Sequence, residues 1–151
     1  SSTDLSGVNL DGIDFSFGNF ISANFSDSNL KNANFTSAKL DSTDFTKADL
    51  SGANFTQAKL FKAILFQTKL SKSNFKGADL MGANLSSSDL TEADLSSDLS
   101  LITYLNKAKL YSADLTRANL LGVDLRSTIL ADSIFCETKM PDGTVNNQNC
   151  D

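Results

Sequence analysis

Residues 43–60 read Thr43-Asp44-Phe45-Thr46-Lys47-Ala48-Asp49-Leu50-Ser51-Gly52-Ala53-Asn54-Phe55-Thr56-Gln57-Ala58-Lys59-Leu60, with Phe or Leu returning every fifth residue. Stepping by five from Leu5 to Phe135 gives 27 positions, of which 26 are Leu or Phe and one is Ser100. Two residues before each of these centres stands a small or short-branched residue, Ala at 13 positions. The residue just before the centre is usually Asp or Asn, and those after it are commonly Ser, Thr, Gly or charged. A spacing of five matches neither the 3.6-residue turn of a helix nor the alternation of a flat strand, so the chain must turn once per repeat. The large and small residues then point to a common axis, and Asp, Asn, Gly and Ser make the corners.

The stacking period follows from the columns. Every twentieth residue from Leu10 is Leu, through Leu30, Leu50, Leu70, Leu90, Leu110 and Leu130. A second column reads Phe15, Phe35, Phe55, Phe75, Leu95, Leu115, Phe135, which predicts aromatic rings stacked from coil to coil. Four repeats therefore complete one square turn, and the expected fold is all-β, a four-sided coil of about seven turns. At roughly 4.8 Å per rung it is about 33 Å long.

Composition removes several function classes. The 151 residues suffice for one domain, and they include no His, no Trp and two Cys. A disulfide-dense miniprotein, a Cys/His zinc module and a histidine-based nucleophile relay are excluded. A net charge of −5 argues against direct nucleic-acid binding. No apolar run reaches the length of a membrane span. The many Asp residues lie on a convex rod with no evident cleft, so no enzyme, small-molecule substrate, cofactor or metal site is expected. Asn-Phe-Ser/Thr sequons such as Asn24-Phe25-Ser26 are by-products of the repeat.

The motif Ala-(Asp/Asn)-(Leu/Phe)-(Ser/Thr)-X over residues 3–137 resembles the pentapeptide-repeat proteins. The resemblance implies a right-handed quadrilateral β-helix. It leaves the task open, because the family's functions are diverse.

Breaks in the pattern mark candidate sites. In Leu95-Ser96-Ser97-Asp98-Leu99-Ser100-Leu101-Ile102-Thr103-Tyr104-Leu105 a centre arrives early at Leu99, and six residues pass before Leu105. The expectation is a short side followed by a bulged one near 96–104, with Leu99 inside in place of Ser100. A column of apolar residues at solvent-facing positions, Ile21, Phe61, Met81, Leu101 and Leu121 (interrupted by Asp41), with Ile64, Phe66, Ile102 and Tyr104 beside it, predicts a ridge along one corner. Such a ridge suits a protein partner or a homodimer, unless the bulge folds over it. The alternative function is an acidic DNA mimic acting on a DNA-binding enzyme such as a topoisomerase, with Asp14, Asp94 and Asp114 sharing one side. Lys39 and Lys59 are expected to stack on another side, and Lys69 and Lys109 on a neighbour.

Residues 1–137 are read as the coil and 138–151 as its cap, where Pro141-Asp142-Gly143 makes a turn. Cys136 and Cys150 can close a loop there, placing the protein in an oxidising compartment; two free thiols in the cytoplasm is the alternative. The Cys-bracketed tail with Met140-Pro141-Asp142-Gly143 resembles the ends of pentapeptide-repeat proteins exported to the thylakoid lumen or periplasm in cyanobacteria and chloroplasts. That implies a signal peptide removed before Ser1. The reading is a rigid non-catalytic binding or structural module.

Overall fold

Most corners of the coil are built alike. Where Asp or Asn precedes the centre, its side chain accepts a hydrogen bond from the N–H two residues on, as Asp44 does from Thr46 at 2.8 Å and Asn54 from Thr56 at 3.0 Å; at other corners Lys, Ile or Tyr stands in that place, as at Lys39, Ile64 and Tyr104. The N–H three residues after the centre returns to the centre's carbonyl, as Ala48 does to Phe45 at 2.9 Å. The second residue after the centre has positive φ, 59° at Lys47 and Gln57 and 71° at Gly52, as a type II turn requires. The short polar side chain before the centre thus sets the turn locally, and the large one after it is free to point inward.

These corners join three-residue sides into a four-sided β-helix in a computed structural model that describes residues 3–150. We name the sides by their inward centres: A through Phe25, B through Leu30, C through Phe35 and D through Leu40. Successive coils are joined by parallel rungs twenty residues apart, from Asp4↔Asn24 to Asn74↔Asp94. The residue in the middle of a side bonds the coil before it through both N–H and C=O: Asn54 N–H donates to Ala33 at 2.9 Å, and its carbonyl accepts from Phe35 at 2.7 Å.

The axis is filled by rings and leucines. Phe15, Phe35, Phe55 and Phe75 stack along side C with centroids 4.8 to 5.2 Å apart, and Phe25 and Phe45 stack along the opposite side A at 5.2 Å. The two stacks meet edge to face across the axis, as Phe25 and Phe35 do at 5.9 Å and 83°. Each such pair adds about 0.5–1.5 kcal/mol to what its burial supplies. Fully buried Ala33, Ala53 and Ala58 leave the rings their room.

The register changes once. From Asp79↔Tyr104 to Asp94↔Asn119 partners are 25 apart, and from Lys109↔Ile129 they are 20 apart again. Five extra residues, 98–102, leave the wall at the corner between sides C and D, and Leu105 follows Leu95 as the next inward centre. The expectation of a short side with Leu99 inside is therefore corrected: Leu99 is fully exposed, and Thr103 takes the buried small-residue place before Leu105. Beyond residue 95 every column moves by one side. Leu115 and Phe135 join the Leu10 column, Leu110 and Leu130 the Phe25 column, and Leu120 the Phe15 column.

The wall continues past residue 137, because Met140 packs against the core on side C and Leu120 N–H donates to Lys139 at 2.8 Å. There the chain reverses. Strand β1 (Thr138–Lys139) pairs antiparallel with β2 (Val145–Asn146). Asn149 exchanges backbone and side-chain bonds with Phe135, Asn147 Oδ1 accepts from Glu137 N–H, and a disulfide joins Cys136 to Cys150. Ser1, on which the expected removal of a leader bears, lies outside the described residues.

A candidate partner surface around side D

The loop that leaves the wall is held by its own hydrogen bonds. Asp98 Oδ1 accepts from Ser100 N–H at 2.8 Å, Ser100 Oγ at 2.7 Å and Leu101 N–H at 2.9 Å. The Ser100 hydroxyl and these amides hold the Asp98 carboxyl below its usual value. At the base, Ser97 Oγ accepts from Thr103 N–H at 2.9 Å. Thr103 Oγ1 accepts from Gly77 N–H at 3.0 Å and lies 3.0 Å from the Ser96 carbonyl, so one hydroxyl bridges the rung that the insertion opened. Gly77 is needed here: its φ is 71°, and a Cβ would sit 3.1 Å from Leu101 Cδ2.

The loop folds over the C–D corner and leaves a groove of about 400 Å³ against side D, floored by Ser37, Gln57 and Gly77, with Lys39 and Lys59 on side D and Leu101 and Ile102 on the loop. Leu99 projects from the tip at 107% relative exposure, and Ile102 is half exposed. Along the other edge of side D, Ile21, Phe61 and Met81 lie on one corner, where Lys62 Nζ covers the Phe61 ring at 5.0 Å.

The continuous ridge expected from sequence is thus divided. Ile21, Phe61 and Met81 keep a common corner, but the next residue in that column is Asn106. Leu101 and Ile102 belong to the loop at the opposite corner, Leu121 stacks above Ser96 on that same corner, and Tyr104 lies on side D above Asp79. Ile64 is on side A, and Phe66 is at the corner between A and B. What the structure brings together is a frame: apolar groups at both corners of side D and the stacked Lys39 and Lys59 between them.

The charged columns are also redistributed. Asp14 and Asp94 share side C, but Asp114 lies on side B above Asp89, in a column that also holds Asp49 and Lys69. Lys109 is on side A rather than beside Lys69. Side C carries Asn34, Asn54 and Asn74 between its two Asp residues and ends in Lys139, so its acid is discontinuous. Burial would raise the Asp49 carboxyl, but Ser51 together with Lys31 at 3.6 Å and Lys69 at 3.7 Å hold it below the usual value.

Two exposed residues of the first coil were not singled out from sequence. Phe17 is 77% exposed in the left-handed region at φ 59°, and the signal for it was its being the one aromatic at the second position after a centre. Val8 occupies an inward place yet is 40% exposed, because no described coil lies before it.

The pentapeptide-repeats (8 copies) profile matches residues 1–36, 28–67, 58–96 and 103–140. The chain belongs to the pentapeptide-repeat family. The interval that the profile leaves unmatched coincides with the loop, and family membership agrees with the right-handed quadrilateral β-helix. Among solved structures, HetL from the cyanobacterium Nostoc sp. strain PCC 7120, a pentapeptide-repeat protein involved in heterocyst differentiation regulation, is similar at 30% identity over 97% of this chain and 76% of its own, with a TM-score of 0.62. Rfr23 from Cyanothece 51142 is similar at 24% identity over 86% and 85%, with a TM-score of 0.48. AT2G44920, from the Arabidopsis thaliana thylakoid lumen, is similar at 29% identity over 85% and 72%, with a TM-score of 0.32. No curated protein matches the chain. Among the described residues no helix is long and apolar enough to cross a membrane.

Proposed function

We propose that this pentapeptide-repeat protein is a rigid, non-catalytic binding module that docks a protein partner against side D, with loop 97–102 as its leading contact. The observation that carries the reading is Leu99, an aliphatic side chain wholly in solvent on a loop ordered by Asp98 and Ser97. An exposed Leu on a preorganised loop loses little entropy when a partner covers it. Apolar groups on both corners of side D extend the contact. The Cys136–Cys150 bridge supports work in an oxidising compartment, the thylakoid lumen or the periplasm. The description of HetL as regulatory fits action by contact rather than chemistry. Duplex mimicry, the alternative, asks for a continuous acidic side, and Lys69, Lys139 and the stacked Asn residues of sides B and C count against it.

The test is site-specific photo-crosslinking in the native compartment. A crosslinker at position 99 is expected to give a discrete protein adduct, and one at position 27, on the opposite corner, none. Equal adducts from both positions, or none from 99, sink the reading.

A further inference from the structure

Lys39 and Lys59 are direct partners across a parallel rung of side D, the one described rung where two cations meet, and like charges so placed repel. Other lysines of the coil rest on carboxylates: Lys31 and Lys69 converge on Asp49, Lys72 meets Glu92 and Lys76 meets Asp94, at 3.4 to 3.9 Å. Lys39 and Lys59, both exposed, make no ion pair among the described residues. Asp79, the next residue up their column, turns its carboxyl to Met81 N–H at 3.1 Å instead. The acidic counterpart of this pair, Asp89 and Asp114 on side B, is committed to its own corners, accepting from Thr91 and Thr116 N–H at 3.0 and 2.9 Å. The lysine pair has no such internal use.

The pair lines the groove of about 400 Å³ under loop 97–102, with Leu101 and Ile102 facing it from the loop. That volume is of the size that holds a ligand or a short stretch of chain. Because the groove floor is three residues from successive coils, Ser37, Gln57 and Gly77, its length runs along the rod. An occupant meets Lys39, then Lys59, then the loop, about 4.8 Å apart. In an extended peptide, alternate side chains share a face about 6.6 Å apart, a difference that flexible lysine stems absorb. Two carboxylates at alternate positions and an aliphatic side chain at the next therefore fall in order on Lys39, on Lys59 and on Leu101 with Ile102. The carboxylates relieve the repulsion between the lysines, and the loop is ordered by Asp98 before they arrive. A nucleic-acid backbone would satisfy the lysines but brings no aliphatic group to the loop, and the net charge of −5 opposes it.

We infer that the groove between side D and loop 97–102 takes an extended acidic segment of a partner protein, with two carboxylates at alternate positions followed by an aliphatic side chain. The inference rests on the partner reading above and names what that partner presents. The probe is the capped peptide acetyl-Leu-Ser-Glu-Ser-Glu-Ser-Leu-amide, whose residue order is the same from either end, titrated into the protein by calorimetry. The expected result is saturable one-to-one binding that Lys39→Gln combined with Lys59→Gln weakens at least tenfold and Ile102→Ser at least threefold. Lys47→Gln, on the exposed corner between sides A and B, leaves it unchanged. Replacing both Glu of the probe by Gln also weakens binding at least tenfold. The double variant is expected to keep its thermal transition, because it removes a repulsion and no contact. No binding, or equal affinity for the Gln probe or of the double variant, overturns the inference. So does an oligothymidylate that binds through Lys39 and Lys59 where the peptide does not. An adduct from position 99 that persists in the double variant separates the two claims: docking at side D then stands and the acidic segment falls.

Discussion

The aromatic coils between Ala23 and Leu80 and the loop at 97–102 are built from the same corner chemistry and come out opposite. In the coils an Asp or Asn turns the chain so that the next large residue is buried, as Asn54 precedes Phe55. In the loop Asp98 makes the same turn, with Ser100 N–H bonded to its carboxyl, and Leu99 after it is entirely exposed. The difference lies below the residue. Phe55 sits between Phe35 and Phe75, whereas Leu99 has no rung to join. Turn chemistry specifies a bend; a neighbouring coil decides which way the bend faces.

Four measurements break or sharpen this contrast. Phe55→Ala opens a gap in a stack closed on both sides and is expected to cost about 3–5 kcal/mol in urea unfolding. Gly77→Ala, which strains a left-handed residue and presses on Leu101, is expected to cost about 1–2 kcal/mol and to shift the loop resonances while leaving those of Phe25 and Phe35 in place. Deleting residues 98–102 joins Ser97 to Thr103 and makes Leu95-Ser96-Ser97-Thr103-Tyr104-Leu105 an ordinary repeat. The wall should close at a uniform spacing of twenty, with stability changed by about 1 kcal/mol or less and the position-99 contact gone. A deletion that unfolds the protein would make the loop part of the wall's support.

The smallest effect is acid loosening of the loop. Hydrogen bonds hold the Asp98 carboxyl below its usual 3.8, so its contribution is present above that value and is lost as pH falls through the lowered one. Amide shifts of Ser100 and Leu101 between pH 5 and 2 should report this, while those of coil corners closed by Asn, such as Thr56 and Ser86, stay flat. The exposed pair Asp124–Arg126, with the carboxyl lowered to about 2 by the arginine's hydrogen bonds, should titrate last.

Much of this was legible in residues. The period of five, the four sides and the stacked rings on side C up to Phe75 all follow from local turns repeated without a gap. The candidate surface was legible in part: Ile21, Phe61 and Met81 share the corner the column predicted, whereas Leu101 and Leu121, expected to continue it, lie at the opposite corner of side D. The register after Leu95 was open to two accounts, a bulge that keeps twenty or an excursion that makes 25, and a hydrophobic Leu99 favoured the wrong one. A sign was present in the splice of Ser96-Ser97 to Thr103-Tyr104-Leu105, which reads as a repeat with five residues removed.

The amino-acid sequence by itself determined that this chain coils, how many sides the coil has and, wherever the repeat runs unbroken, which residues face its axis, because there the same short turn recurs at a fixed spacing. Only the tertiary structure decided which corner holds Leu121, which side holds Asp114 and whether Leu99 is core or surface. Those depend on rungs between residues twenty or more apart, and five residues that leave the wall once move everything after them by one side of the square.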